Sequence, residues 1–201
     1  MQKSEISKEY CAVIEKERCR RALLFDNCKE LFLRHHPEVL EIGCGHGHFL
    51  SAYALAHPEQ CCVGIDLKSG RLKKSVKKLK KLNTKNLFFL KAEGKEFIGA
   101  LGQSIRFKRI FILFPDPWPK KRHHKRRLIQ EDFLLELGDH ASIGACIYFR
   151  TDFQPYFEWT SKMIEHCPNW MLDQNGRWPF EEKSYFEQIH SNYKSLIAKR
   201  I

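Results

Sequence analysis

Two stretches of the sequence bring together residue types that do chemistry. The first is Leu40-Glu41-Ile42-Gly43-Cys44-Gly45-His46-Gly47, an apolar run passing straight into three alternate glycines. Glycines there let the backbone pass close to a ligand at the carboxyl edge of an open sheet. Glu41 lies inside the apolar run, where a carboxylate costs free energy unless it is paired, and the ammonium of a bound amino-acid-like cofactor would pair it. Asp66 ends the next apolar run, about 20 residues on, where nucleotide-binding units place an acid against ribose hydroxyls. Its competing role is a helix N-cap, for which Ser69 is better placed. Glu93 follows a third run and has two readings, an acceptor for an adenine amino group or an electrostatic cap on its own helix. A dinucleotide fingerprint would need a sixth-position glycine where this chain has His48, so the pattern favours an adenosine cofactor that is not NAD.

The second stretch is Phe114-Pro115-Asp116-Pro117-Trp118-Pro119-Lys120, followed by Lys121-Arg122-His123-His124-Lys125-Arg126-Arg127. Two prolines stiffen the backbone around Asp116, and Trp118 offers a face on which a base can stack. Of the residues from Lys120 to Arg127, seven need no structural role. Together they make the edge of an active site joined to a phosphate-binding segment.

These residues must be held by a frame, and the frame is legible as alternating short apolar and longer amphipathic runs, the mark of an open, mostly parallel α/β sheet. Strands are expected at Val39–Ile42, Cys61–Leu67, Asn86–Ala92, Arg109–Phe114, Ala145–Thr151, Asn169–Asp173 and Ser195–Lys199. Helices are expected at Gly47–His57, Ser69–Leu82, Glu93–Leu101, Leu128–His140 and Gln154–Cys167. In Ser69–Leu82 the stripe Leu72, Val76, Leu79 and Leu82 should face the sheet. The many lysines around it read as a solvated face, with direct contact to RNA as the alternative. Before Arg34 an amphipathic helix carrying Val13, Leu23, Leu24, Leu31 and Phe32 follows a frayed, basic start.

Composition sets outer bounds. The 201 residues make one domain with a short appendage, divided here as a basic helical extension over 1–34 and a catalytic domain over 35–201. The 35 Lys and Arg against 24 Asp and Glu give a formal charge of +11, which favours polyanionic partners. Nucleic acid fits better than a membrane, because no apolar run reaches the roughly 18 residues of a spanning helix and the start has no signal-peptide core. A cytoplasmic location is expected. The eight cysteines form no Cys-x-x-Cys pair, and the doublets His35-His36 and His123-His124 have no matching cysteine spacing. Mostly buried free thiols, surface histidines and no metal are expected.

The run from Phe114 to Lys120, with Arg122-His123 and Lys125-Arg126-Arg127 behind it, resembles the signature of the bacterial tRNA (guanine-N7-)-methyltransferase family. The similarity continues through Thr151-Asp152 and Tyr185-Phe186-Glu187 and covers roughly residues 38 to 200. It implies a class I, S-adenosylmethionine-dependent methyltransferase fold, Rossmann-like, with a seven-stranded sheet, helices on both faces and the last strand antiparallel. It implies cofactor contacts from Glu41, Gly43, Gly45, Asp66, Glu93 and Asp116, with Asp116 also at the catalytic position. Substrate contacts are implied at Lys120, Asp152, Ser184, Tyr185, Phe186 and Glu187. The partner is tRNA, methylated on a variable-loop guanine, with no obligatory protein partner and a monomer or homodimer expected. Asp66 and Glu93 exchange Glu and Asp relative to the usual family pattern, Ser184 replaces Thr, and Tyr185 replaces a residue that is often basic. Rival readings are a methyltransferase of this fold acting on another base atom, a small-molecule methyltransferase and a non-catalytic tRNA-binding protein.

Overall fold

The computed structural model describes residues 8–82, 84–181 and 192–201. Seven strands form one sheet: β1 (Val39–Ile42), β2 (Cys62–Asp66), β3 (Leu87–Lys91), β4 (Phe107–Leu113), β5 (Ala141–Thr151), β6 (Trp170–Leu172) and β7 (Lys194–Arg200). Their order is β3-β2-β1-β4-β5-β7-β6. The first five pair in parallel, while β7 runs antiparallel to both β5 and β6. Each parallel pair needs a crossover, and the helices that make them are α2 (His48–Ala56), α3 (Ser69–Leu82), α4 (Gly94–Gly99) and α5 (Glu131–Asp139). α1 (Lys8–Arg34) precedes the sheet and α6 (Gln154–His166) links β5 to β6.

Alternation along the strands splits the core in two. Leu40, Ile42, Val63, Ile65, Ile110 and Ile112 face the layer of α1, α4, α5 and α6. Val39, Cys62, Phe111 and Tyr148 face the α2 side, against Phe49, Leu50 and Tyr53. β1 and β2 are buried along their whole length, as central parallel strands covered on both faces must be. The order reverses between β1 and β4, so a crevice opens there at the carboxyl edge.

Four expectations change. The helix expected from Leu128 starts at Glu131, because Gln130 is extended and residues 127–130 tie to α6: Ile129 N–H donates to the Tyr156 hydroxyl (3.2 Å), and Trp159 Nε1 donates to Ile129 O (2.9 Å). Ahead of it Lys121–Arg126 form a 3-10 turn. In α3 the inward stripe is Leu72, Ser75 and Leu79, while Val76 turns outward at 38% exposed. In α1 Leu24, Cys28 and Phe32 are buried and Leu23 is exposed. Four of the cysteines, Cys28, Cys44, Cys62 and Cys167, are buried, and Cys11 and Cys19 are exposed, so burial is less general than expected.

Candidate active site

All five parallel strands end on one edge, and each end carries one of the acids singled out in the sequence. In sheet order these are Glu93 after β3, Asp66 at the end of β2, Glu41 in β1, Asp116 after β4 and Asp152 after β5. They come from segments far apart in sequence, and the parallel topology alone gathers them.

The glycine turn is anchored to β2, with Gly43 and Cys44 donating from N–H to Ile65 O at 2.8 and 2.9 Å. Gly43, Gly45 and Gly47 all have left-handed backbones, at φ of 82°, 56° and 65°. Their surroundings separate their roles. A Cβ on Gly43 would meet open space, whereas on Gly47 it would lie 2.5 Å from Phe89 Cζ. Gly43 and Gly45 leave room beside the backbone, and Gly47 lets α2 approach β3. The turn is also bolted from outside: Gly45 N–H donates to Asp66 Oδ2 (3.0 Å), and Ser75 Oγ donates to Gly45 O (3.1 Å). Ser75 carries no chemical signature in the sequence, though its spacing from Leu72 and Leu79 puts it on the buried face.

Asp66 accepts a second bond from Lys68 N–H (2.7 Å) and has Arg71 at 3.8 Å. Lys68 O accepts from Leu72 N–H, so Lys68 occupies the N-cap, one residue before the expected Ser69, and Ser69 is the first helical residue. Asp66 thus holds both the glycine turn and the start of α3. Glu93 does cap its helix, accepting from Glu96 N–H (3.0 Å), and lines a groove between α1 and α4 with Arg18, Phe25 and Glu96. Arg20 of α1 closes on Glu96 as an ion pair.

Glu41 is 4% exposed, and its Oε2 is a buried oxygen without a hydrogen-bond partner. Burial pushes its carboxyl up to about 8, with the backbone N–H of Leu50 opposing and the Asp66 charge adding to the rise. Leu50 lies in the first turn of α2, whose dipole favours a negative charge, but one N–H does not replace the lost water.

The second stretch leaves β4 through a strained backbone. Phe114 and Trp118 both have positive φ, 50° and 43°, and such non-glycine positions cost about 1–3 kcal/mol each unless the surroundings enforce them. Phe114 N–H donates to Arg150 O (2.8 Å), and Arg127 Nε donates to Pro117 O (3.0 Å). Between those ties Asp116 is exposed at the crevice. Arg127 is 2% exposed, with its guanidinium about 5 Å from the ring centres of Tyr156 and Trp159. That makes it a structural residue, against the expectation for the basic segment as a whole. Lys120, Lys121, Arg122, Lys125 and Arg126 are exposed, and Arg126 lies over the Trp118 ring at 5.0 Å. His123 and His124 are half-buried, packed edge-on against Trp118 and Trp159.

Asp152 is exposed between β5 and α6. Ser184, Tyr185, Phe186 and Glu187 lie outside the described residues. The chain on either side of them converges on Arg150, a buried cation at the end of β5. Its guanidinium donates to Glu181 (3.2 Å) and Ser195 Oγ (3.2 Å), and lies over Trp178 (3.8 Å) and Tyr193 (5.0 Å). The sequence does carry a signal for Arg150: like Glu41, it is a charge at the end of an apolar strand run.

A family described as "Putative methyltransferase" matches residues 35–198. A tRNA (guanine-N(7)-)-methyltransferase from Mycoplasma capricolum is 34% identical over 193 residues, covering 87% of each chain. The chain belongs to the tRNA (guanine-N(7)-)-methyltransferase family. Another member, from Thermotoga maritima, is 36% identical over 173 residues, or 85% of this chain, and this chain spans about half, 50%, of its length. Among solved structures, the aminoglycoside resistance methyltransferase NpmB1 superposes with a TM-score of 0.63 at 14% identity, covering 88% of this chain and 93% of its own. That likeness concerns the fold: a class I methyltransferase sheet with its seventh strand reversed. The family match takes in the glycine turn, the Pro-Asp-Pro-Trp segment with its basic tail, and Arg150.

Proposed function

We propose that this protein transfers a methyl group from S-adenosylmethionine to N7 of a guanine in the variable loop of tRNA. The observation that carries the reading is the juxtaposition, across the β1–β4 switch, of an open glycine turn over the unpartnered Glu41 oxygen with the strained Asp116 segment and its exposed cations. The family membership supplies the reaction. Residues 35–201 carry the chemistry, and 1–34 is an extension whose Leu24, Cys28 and Phe32 join the core.

The residues fit the cofactor. Glu41 offers an ammonium the partner it lacks, Gly43 and Gly45 leave space for the amino-acid portion, and Asp66 keeps lone pairs for ribose hydroxyls. Glu93, at the far end of the row, takes the adenine. The cofactor brings an electrophilic methyl on a sulfonium. Guanine N7 carries an in-plane lone pair and no proton, so the protein needs no general base. Alignment of nucleophile, methyl and sulfur does most of the work, and such positioning can supply roughly 7–11 kcal/mol. As the N7–CH3 bond formed and the S–CH3 bond broke, the purine would gain positive charge, and Asp116, on the strained segment at the crevice, would stabilise it. Lys120 and Arg126 take backbone phosphates, and Asp152 with Ser184, Tyr185, Phe186 and Glu187 contacts the substrate around the target.

The test is transfer of labelled methyl to an unmodified tRNA transcript, with the nucleoside product identified. The reading expects 7-methylguanosine, lost when the variable-loop guanine is replaced. A neutral methylamine product would move the reaction to an exocyclic amine, and binding of cofactor and tRNA without transfer would leave a non-catalytic binding protein.

A further inference from the structure

The charge of this chain is not spread evenly. Between Asp66 and Glu93 there is no carboxylate, and α3 lies wholly inside that interval. Its inward stripe is Leu72, Ser75 and the half-buried Leu79, and Lys73, Lys74, Lys77 and Lys80 are all exposed. Lys77 stands one helical turn from each of the other three, and like charges at those spacings destabilise a helix. The first turn holds no acid to balance the dipole. Cations on two other helices do have partners: Arg34 meets Glu30 in α1, and Lys95 of α4 meets Asp132 of α5. Among the described residues no carboxylate is paired with these four lysines. A face that served only to be solvated would gain stability from mixed signs. This face forgoes it.

Its position gives the charge a use. α3 begins beside Asp66, at the mouth of the candidate site, and runs away from it, with Lys73 and Lys80 about 10 Å apart along the axis. Lys74 and Arg71 are close enough to His46 of the glycine turn to help depress its imidazolium, behind the larger effect of burial. The lysine row is therefore continuous with the site and lies on the α2 side of the sheet. The exposed cations of Lys120–Arg126 leave the same edge next to α5 and α6.

We propose that the outer face of α3 is a second docking surface for the substrate RNA, in which Lys73, Lys74, Lys77 and Lys80 take sugar-phosphate backbone away from the target base. This rests on the tRNA reading above and deepens it: the RNA is gripped on both sides of the crevice, with the target guanine presented between. Such contacts carry no base specificity but fix register and orientation.

The test compares the wild-type chain with Lys73/Lys74/Lys77/Lys80→Gln and with the charge-preserving Lys73/Lys74/Lys77/Lys80→Arg, measuring tRNA affinity across a salt series and S-adenosylmethionine affinity. For the glutamine variant the slope of log K against log[salt] should become shallower by about 0.7–0.9 for each phosphate no longer neutralised, about 2 or more in all, with at least about tenfold weaker binding near 0.1 M salt. The arginine variant should keep the wild-type slope, and cofactor affinity should stay within about twofold for all three. Relief of repulsion should leave Tm unchanged or about 1–3 °C higher in the glutamine variant. An unchanged slope in that variant, while wild type binds and methylates tRNA, overturns this surface and leaves the function intact. Absence of tRNA binding by wild type overturns both. Unchanged tRNA binding combined with abolished binding to phosphatidylserine vesicles would reassign the face to a membrane and overturn the proposal.

Discussion

At the scale of single residues, two carboxylates of the site have opposite surroundings. Asp116 is exposed on a strained segment, and its role is to meet charge that appears during transfer, so Asp116→Ala should lower kcat by about 10²-fold or more while changing cofactor affinity little. Single-turnover methylation and calorimetric binding separate the two, and equal losses would make it a cofactor ligand and nothing more. Glu41 is buried, and its carboxyl is raised from 4.5 to about 8. Between those values the folded chain holds a proton that the unfolded chain has released, so Glu41 lowers stability as pH rises across that window. An ammonium beside it reverses the preference. Cofactor binding at neutral pH should therefore expel a proton, measurable by calorimetry in buffers of different ionisation enthalpy, and Glu41→Gln should abolish the expulsion. The roles of Glu41 and Asp66 are readable from strand-end positions, but the bonds from Gly45 and Lys68 to Asp66 are not, since they depend on how the turn folds back on β2.

At the scale of elements, what holds the site is tertiary. Residues 127–130 have the composition of a helix start, and they stay out of the helix because Ile129 and Arg127 have better partners on α6 than a helix would give. No local pattern announces that. Arg127 ties the carbonyl next to Asp116 to those rings, so Arg127→Met, which keeps volume but removes the donor, should loosen the segment. It should reduce kcat more than cofactor affinity and raise protease sensitivity near Pro117. Gly47→Ala has a purely structural cost, because the added methyl meets Phe89 on a backbone that already disfavours side chains. It should lower Tm by several degrees with or without cofactor, and a neutral result would show that α2 can move off β3. The inward face of α3 differs from expectation at Val76 because helical spacing alone allows either of two adjacent stripes, and burial of Ser75 against the glycine turn selects one.

At the scale of the whole molecule the parallel sheet does what no local segment can, setting five acids from separate segments along one edge and placing the crevice where strand order reverses. That much is legible in the sequence, since the alternation of runs fixes the fold class and the fold fixes where a ligand goes. Transfer to N7 depends on one atom of one base, and that atom can be replaced. A tRNA carrying 7-deazaguanosine at the variable-loop target keeps the base pairing, shape and phosphates but has a carbon in place of N7. Binding within a fewfold of the ordinary tRNA and no methyl transfer to that nucleoside are expected. Methylation of the deaza nucleoside at the wild-type rate would place the reaction on another atom and contradict the account.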